Sequence, residues 1–125
     1  MAGYLDGEGC IRLFNGGKYF TPRVAIENTY YAGLVEIQKE FGGRLSVVRR
    51  AKGNWRTAWR WEFAATEEVR KFLLNILPYL REKKPQALVM LEALDLPSTE
   101  REWHYNELKR LKHIESTDDA PPLRC

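Results

Sequence analysis

Apolar and polar positions along the chain change period several times, and each change marks an element. Residues 1–7 read as the end of a helix stopped by glycine. From Gly9 to Phe14 the pattern alternates, as a strand requires, and Asn15-Gly16-Gly17 is a strong turn signal. Pro22 to Asn28 predicts a second strand, with Val24 and Ile26 alternating with Arg23, Ala25 and Glu27. Between Ala32 and Phe41 the period becomes helical: Leu34, Ile37 and Phe41 recur on one face, and Gly42-Gly43 ends the run.

The second half of the chain repeats the alternation of strand and helix. Leu45 and Val47 mark a third strand, and the polar turn Lys52-Gly53-Asn54 leads into a fourth, Trp55 to Phe63. On that fourth strand Trp59, Trp61 and Phe63 share one face, while Arg56, Ala58 and Arg60 share the other. Thr66 followed by Glu67 and Glu68 predicts a helix start, with a capping oxygen and then carboxylates at the positive end of the dipole. That helix is expected to reach about Leu80, with Pro78 breaking it late. A further helix is predicted over Pro85–Leu94. Ser98 is placed as the cap of a last one, Thr99 to Ile114. No internal repeat is visible.

The order is helix, two strands, helix, two strands, helices. It predicts an α+β fold: an antiparallel four-stranded sheet with helices on one face, an αββαββα core plus C-terminal helices. Residues 1–115 are expected to form one domain, and 116–125, acidic and proline-containing, a flexible tail.

Composition narrows the class. A chain of 125 residues that is 44% hydrophobic and 30% charged has the make-up of a one-core globular protein. No apolar run is long enough to span a bilayer, and the N-terminus lacks a secretory pattern, so a cytoplasmic location is expected, or a nucleoid or organelle matrix, with no membrane partner. Cys10 and Cys125 lack the paired spacing of a disulfide framework or a zinc site and read as plain thiols. His104 and His113 have no ligand-like spacing either.

Charge changes the picture further. Residues 9–63, the strand-rich half, carry ten Lys/Arg against four Asp/Glu; residues 64–125 carry ten against eleven. Positive charge concentrated on strands is the footprint of a phosphate-binding surface. With Val24, Ile26, Leu45, Val47, Trp59, Trp61 and Phe63 assigned inward, opposite parity turns Arg12, Arg23, Arg44, Ser46, Arg50, Arg56 and Arg60 outward. Arginine reads guanine with two hydrogen bonds or clamps phosphate, and β-ribbons fit the major groove. Tyr19, Lys18 and Lys52, at hairpin tips, are placed to touch flanking backbone. A surface serving only solubility is the bland alternative.

Ala2-Gly3-Tyr4-Leu5-Asp6-Gly7-Glu8-Gly9-Cys10-Ile11 closely resembles the motif that names the LAGLIDADG family of homing endonucleases, with Met1 where leucine is usual. Element order extends the resemblance over residues 1–95. Gly3 and Gly7, four apart, share a helix face, and small residues there let two helix backbones approach. One motif in one chain implies that the partner helix comes from a second copy, so Ala2, Gly3, Asp6 and Gly7 are the expected interface of a two-fold homodimer. The alternative is that Gly3 and Gly7 pack inside one subunit.

The resemblance also assigns a site. Glu8 matches the family's metal-binding carboxylate, glutamate standing where aspartate is usual, and Asp6 the earlier acidic position, expected to support the helix end. Two symmetry-related Glu8 side chains would repel unless cations neutralised them. Mg²⁺ suits such a site, and Mn²⁺ or Ca²⁺ would serve as other divalent ions. Asn28 is carried over as an amide orienting metal or water, with a turn residue as its plain alternative. Lys83, with Lys84 as the other candidate, matches a lysine near the scissile phosphate, a solvated surface lysine being its plain alternative.

The resemblance therefore implies a homodimeric, metal-dependent endonuclease cutting double-stranded DNA at a long pseudo-palindromic site, in the service of intron or intein mobility. A non-cleaving DNA- or RNA-binding module of the same fold, or a degenerate endonuclease, is the competing reading. Because Met1 falls inside the motif, the interface helix is expected to be short.

Overall fold

The computed structural model describes Gly3, Leu5 and residues 9–115, with the backbone alone for 113–115. Gly3 and Leu5 are helical. β1 (Gly9–Asn15) and β2 (Phe20–Asn28) form a hairpin in register from Gly9↔Ile26 to Asn15↔Phe20. Its turn is built as the sequence predicts. The Asn15 Oδ1 accepts the Gly17 N–H at 2.9 Å, and Gly17 takes a φ of 93° that side chains disfavour. Helix α1 (Tyr31–Phe41) follows, then β3 (Arg44–Arg49) and β4 (Ala58–Phe63). All neighbouring strands are antiparallel, and their order is β1-β2-β4-β3. After β4 come α2 (Thr66–Ile76), a 3-10 turn (Leu77–Tyr79), α3 (Lys84–Leu94) and α4 (Glu102–Glu115). The α+β architecture read from the pattern is therefore the one observed.

The core lies between one sheet face and the helices. Val24, Ile26, Trp61 and Phe63 from the strands meet Leu34 and Ile37 of α1, Val69, Phe72, Leu73 and Ile76 of α2, and Ala87 and Met90 of α3. Trp61 is fully buried and packs edge-on against Phe63 and Phe72, with ring centroids at 5.0 and 5.2 Å. Its indole Nε1 donates to the Gly42 carbonyl at 2.7 Å, so the polar end of the ring is satisfied. That geometry needs the Gly42-Gly43 pair. Gly43 has a φ of 95°, and a Cβ there would lie 2.6 Å from Trp61 Nε1.

Several local expectations are corrected. β4 starts at Ala58, not Trp55; residues 52–55 form a separate miniature turn in which Lys52 and Trp55 bridge each other and Gly53 has a φ of 59°. Thr66 is the first residue of α2, not its cap: Ala65 holds the cap position without a side-chain bond, while Glu67 and Glu68 occupy the first turn as expected. Pro78 ends α2 sooner than predicted, and its last residues tighten into the 3-10 turn. Ser98 does not cap α4, which begins at Glu102; the Ser98 carbonyl instead accepts the Phe20 N–H at 2.8 Å. Among the described residues there is no free cysteine: Cys10, expected as a plain thiol, is disulfide-bonded. Cys125 and the predicted tail, residues 116–125, lie outside the described residues.

Arg101 is a structural element that pattern reading missed. It is buried, and its guanidinium donates to the carbonyls of Ala93 at 2.8 Å, Phe20 at 2.9 Å and Leu96 at 2.9 Å. One side chain thereby pins the end of α3 and the loop before α4 to the start of β2. Burial, with Arg70 nearby, holds its pKa below the ordinary arginine value.

Candidate nucleic-acid interface

The sheet face opposite the core carries at least one arginine from each strand. Arg12 on β1 lies directly opposite Arg23 on β2; Arg44 on β3 lies opposite Glu62 on β4, and Ser46 lies opposite Arg60. Alternation placed these side chains correctly because β1, β2 and β4 are regular where they lie. Arg12 and Arg23 both hold their guanidinium carbon 4.3 Å from the Phe14 ring centroid.

Two carboxylates on the same face were not singled out from the sequence as part of the surface. Glu27, opposite Arg60, accepts from Arg60 Nε at 3.0 Å and Nη2 at 2.5 Å. Glu62 is only 4% exposed and sits between Arg23, whose Nε lies 2.8 Å from Oε2, and Arg44, whose Nη2 lies 2.5 Å from Oε1. Burial pushes the Arg23 pKa down while Glu62 pushes it up; the Arg44 pKa is raised by its hydrogen bond to Glu62. The signal that would have found both glutamates was present: they share parity with Arg60 on one strand and Arg23 on another.

The expected six-arginine face is therefore smaller and partly neutralised. Arg50 lies beyond β3 and Arg56 in the connection before β4, both exposed. The physical reason is a β-bulge. Val47 opposes Trp59 but Arg49 opposes Ala58, so Val48 is an extra residue and parity reverses. Arg49 takes the outward position and donates through Nε and Nη2 to the Arg56 carbonyl at 3.3 and 3.1 Å. Val47, expected inside, is exposed on the edge strand, and Leu45 is only half-buried. Lys18 and Tyr19 at the hairpin tip and Lys52 in the second turn are exposed, as placed.

Of the expected catalytic positions, Asn28 and Lys83 are among the described residues. Glu8, with Ala2, Asp6 and Gly7, lies outside the described residues. Gly3 is exposed, and a Cβ added to it would touch nothing within 4 Å, whereas Leu5 is fully buried. Among the described residues, then, nothing packs against Gly3. Gly9 is held by close approach, since a Cβ would lie 2.6 Å from the Leu5 carbonyl oxygen.

Lys83 is buried at 3% exposure, at the position before α3, while Lys84 is exposed. It is not a solvated surface lysine. Helix α3 packs on β1, whose first residue directly follows Glu8. Three residues beyond Lys83, Gln86 is also buried, with Oε1 lacking a hydrogen-bond partner. The Asn28 Oδ1 accepts the Tyr30 N–H at 3.0 Å, the local turn weighed for it from the sequence. Among the described residues no three metal-ligating side chains gather.

Solved structures share this arrangement. The homing endonuclease I-CvuI, in complex with its target in the presence of Ca, superposes with a TM-score of 0.72 at 21% identity, over 99% of this chain and 83% of its own. The fold is that of the LAGLIDADG homing endonucleases. The archaeal intron-encoded I-Vdi141I, complexed with DNA, matches with a TM-score of 0.62 at 18% identity, over 99% of this chain and 86% of its own. The LAGLIDADG meganuclease I-AabMI, bound to uncleaved DNA, matches with a TM-score of 0.67 at 15% identity, over 94% of this chain but 43% of its own. No family model and no curated protein matches the sequence. No helix among the described residues is long and apolar enough to cross a membrane.

Proposed function

We propose that this chain is one subunit of a site-specific, metal-dependent DNA endonuclease that works as a homodimer on a pseudo-palindromic site. The observation that carries the reading is the outward sheet face with Arg12, Arg23, Arg44 and Arg60, one from each of four adjacent strands. Four strands at about 4.8 Å spacing put the outer two roughly 14 Å apart, close to the width of a major groove. Lys18, Lys52, Arg50 and Arg56 sit on the connections, where flanking phosphates would pass.

Two further observations support pairing. Gly3 is exposed with nothing among the described residues against it, and the chain matches 43% of the longer I-AabMI. In the dimer, Glu8 of each copy would hold the divalent ions, Mg²⁺ in the working enzyme. When bound, such an ion supplies an activated water and positive charge at the departing oxygen. Lys83 would act on the charge that develops on the scissile phosphate through the field of its ammonium, and its burial gives that charge more weight than it has in water. Asn28, at the end of β2, would orient solvent or metal.

The test is a cleavage selection on a randomised duplex library with Mg²⁺, with Glu8→Gln and Lys83→Met beside the unaltered protein. Metal-dependent cutting at a selected site is expected, with either variant losing at least about a hundredfold in rate while still binding. Cutting that survives Glu8→Gln would refute the site. Selective binding with no cutting by the unaltered protein would move the assignment to a binding module, and a monomer both alone and on DNA would remove the paired site.

A further inference from the structure

We propose that Glu62 is a specificity-determining positioning residue. On this reading it holds Arg23 and Arg44 for base recognition and keeps the sheet from acting as a general phosphate binder. The inference rests on the DNA-reading assignment of the sheet and extends it to a residue of the opposite charge.

Register places Glu62 among its partners. Ala25 lies directly across from it on β2 and Arg44 directly across on β3. The small side chain of Ala25 leaves room for Arg23, two positions along β2, to reach Glu62 diagonally. The result is a carboxylate at 4% exposure with one arginine on each oxygen, while Arg44 itself remains 69% exposed. A base inside the duplex cannot reach so enclosed an acid, so Glu62 does not read DNA directly.

What it does to the arginines differs between the two. Arg44 donates an aligned hydrogen bond through Nη2, which fixes the direction of its fork. Arg23 faces Glu62 through Nε at 2.8 Å, yet neither that nitrogen nor Oε2 has an aligned hydrogen bond; the contact is a charge pair, and the Phe14 ring supplies the remaining restraint. An unrestrained arginine follows the nearest phosphate, and phosphate contacts carry no sequence information. A restrained fork suits the two acceptors of guanine. Glu62 also removes one unit of positive charge from the face, which weakens binding to every sequence alike.

The experiment compares the unaltered full-length chain with Glu62→Gln in binding selections on a random duplex library, then in titrations across salt on the selected site and on pooled random DNA. For Glu62→Gln we expect tighter binding to pooled DNA, a salt slope steeper by about one unit, and discrimination at the selected guanine positions reduced roughly tenfold. Arg44→Gln probes the same pair by changing its exposed member in place of the buried acid, and it is expected to flatten a subset of those positions. A folded Glu62→Gln that keeps the original base preferences would overturn the proposal. If Glu62→Gln fails to fold, unchanged preferences in Arg44→Gln would overturn it equally. An unaltered protein that selects no sequence at all would overturn the DNA-reading assignment itself, and the role of Glu62 with it.

Discussion

The two faces of β4 make the most instructive contrast in the molecule. Toward the helices stand Trp61 and Phe63, buried and ring-packed; toward solvent stand Arg60 and Glu62, ion-paired across to β2 and β3. Neighbouring residues on one strand thus belong to two different physical regimes. The inner face is held by close packing, where shape changes are costly. The outer face is held by charge pairs, and where solvent reaches them, as at Arg60 and Glu27, their contribution to stability is modest. Stability should therefore sit on one side of the sheet and recognition on the other, and substitutions should divide accordingly.

The largest effect is expected from Trp61→Ala. It empties the centre of the core and deletes the bond to Gly42, and should cost about 3–5 kcal/mol in urea unfolding. A loss below about 1 kcal/mol would mean the inner face is not the one that holds the fold. Gly43→Ala comes next, at about 2–3 kcal/mol by the same measurement, because it adds a strained φ and a methyl against the fixed indole. A neutral result would show that the α1–β3 turn can relax away from Trp61.

On the outer face Arg60→Gln should change stability by less than about 1 kcal/mol while lowering the salt dependence of DNA binding by up to about one unit. Large destabilisation with unchanged DNA binding would invert the division of labour. The smallest effect on the subunit is expected from Gly3→Leu. A Cβ there meets nothing among the described residues, so unfolding of the subunit should move by no more than about 0.5 kcal/mol. Sedimentation should nevertheless show loss of self-association, and a variant that still pairs like the unaltered chain would take Gly3 out of the interface.

Much of this division was legible before the structure. Alternation along β2 and β4 identified Val24, Ile26, Trp61 and Phe63 as core and Arg23 and Arg60 as surface, since a half-buried strand leaves side chains no other choice. The glycine turns and the α+β order were legible for similarly local reasons. What needed the tertiary structure was everything set by a partner distant in sequence. The bulge at Val48 reversed parity and put Arg49, not Arg50, on the outer face. Pairing across strands turned Glu62 from one more surface acid into the buried bridge between Arg23 and Arg44, and packing enclosed Lys83 and made Arg101 a clamp between α3 and β2. Local pattern fixes which way a side chain points. What it meets there depends on register and burial, and those are decided only when the whole chain has closed on itself.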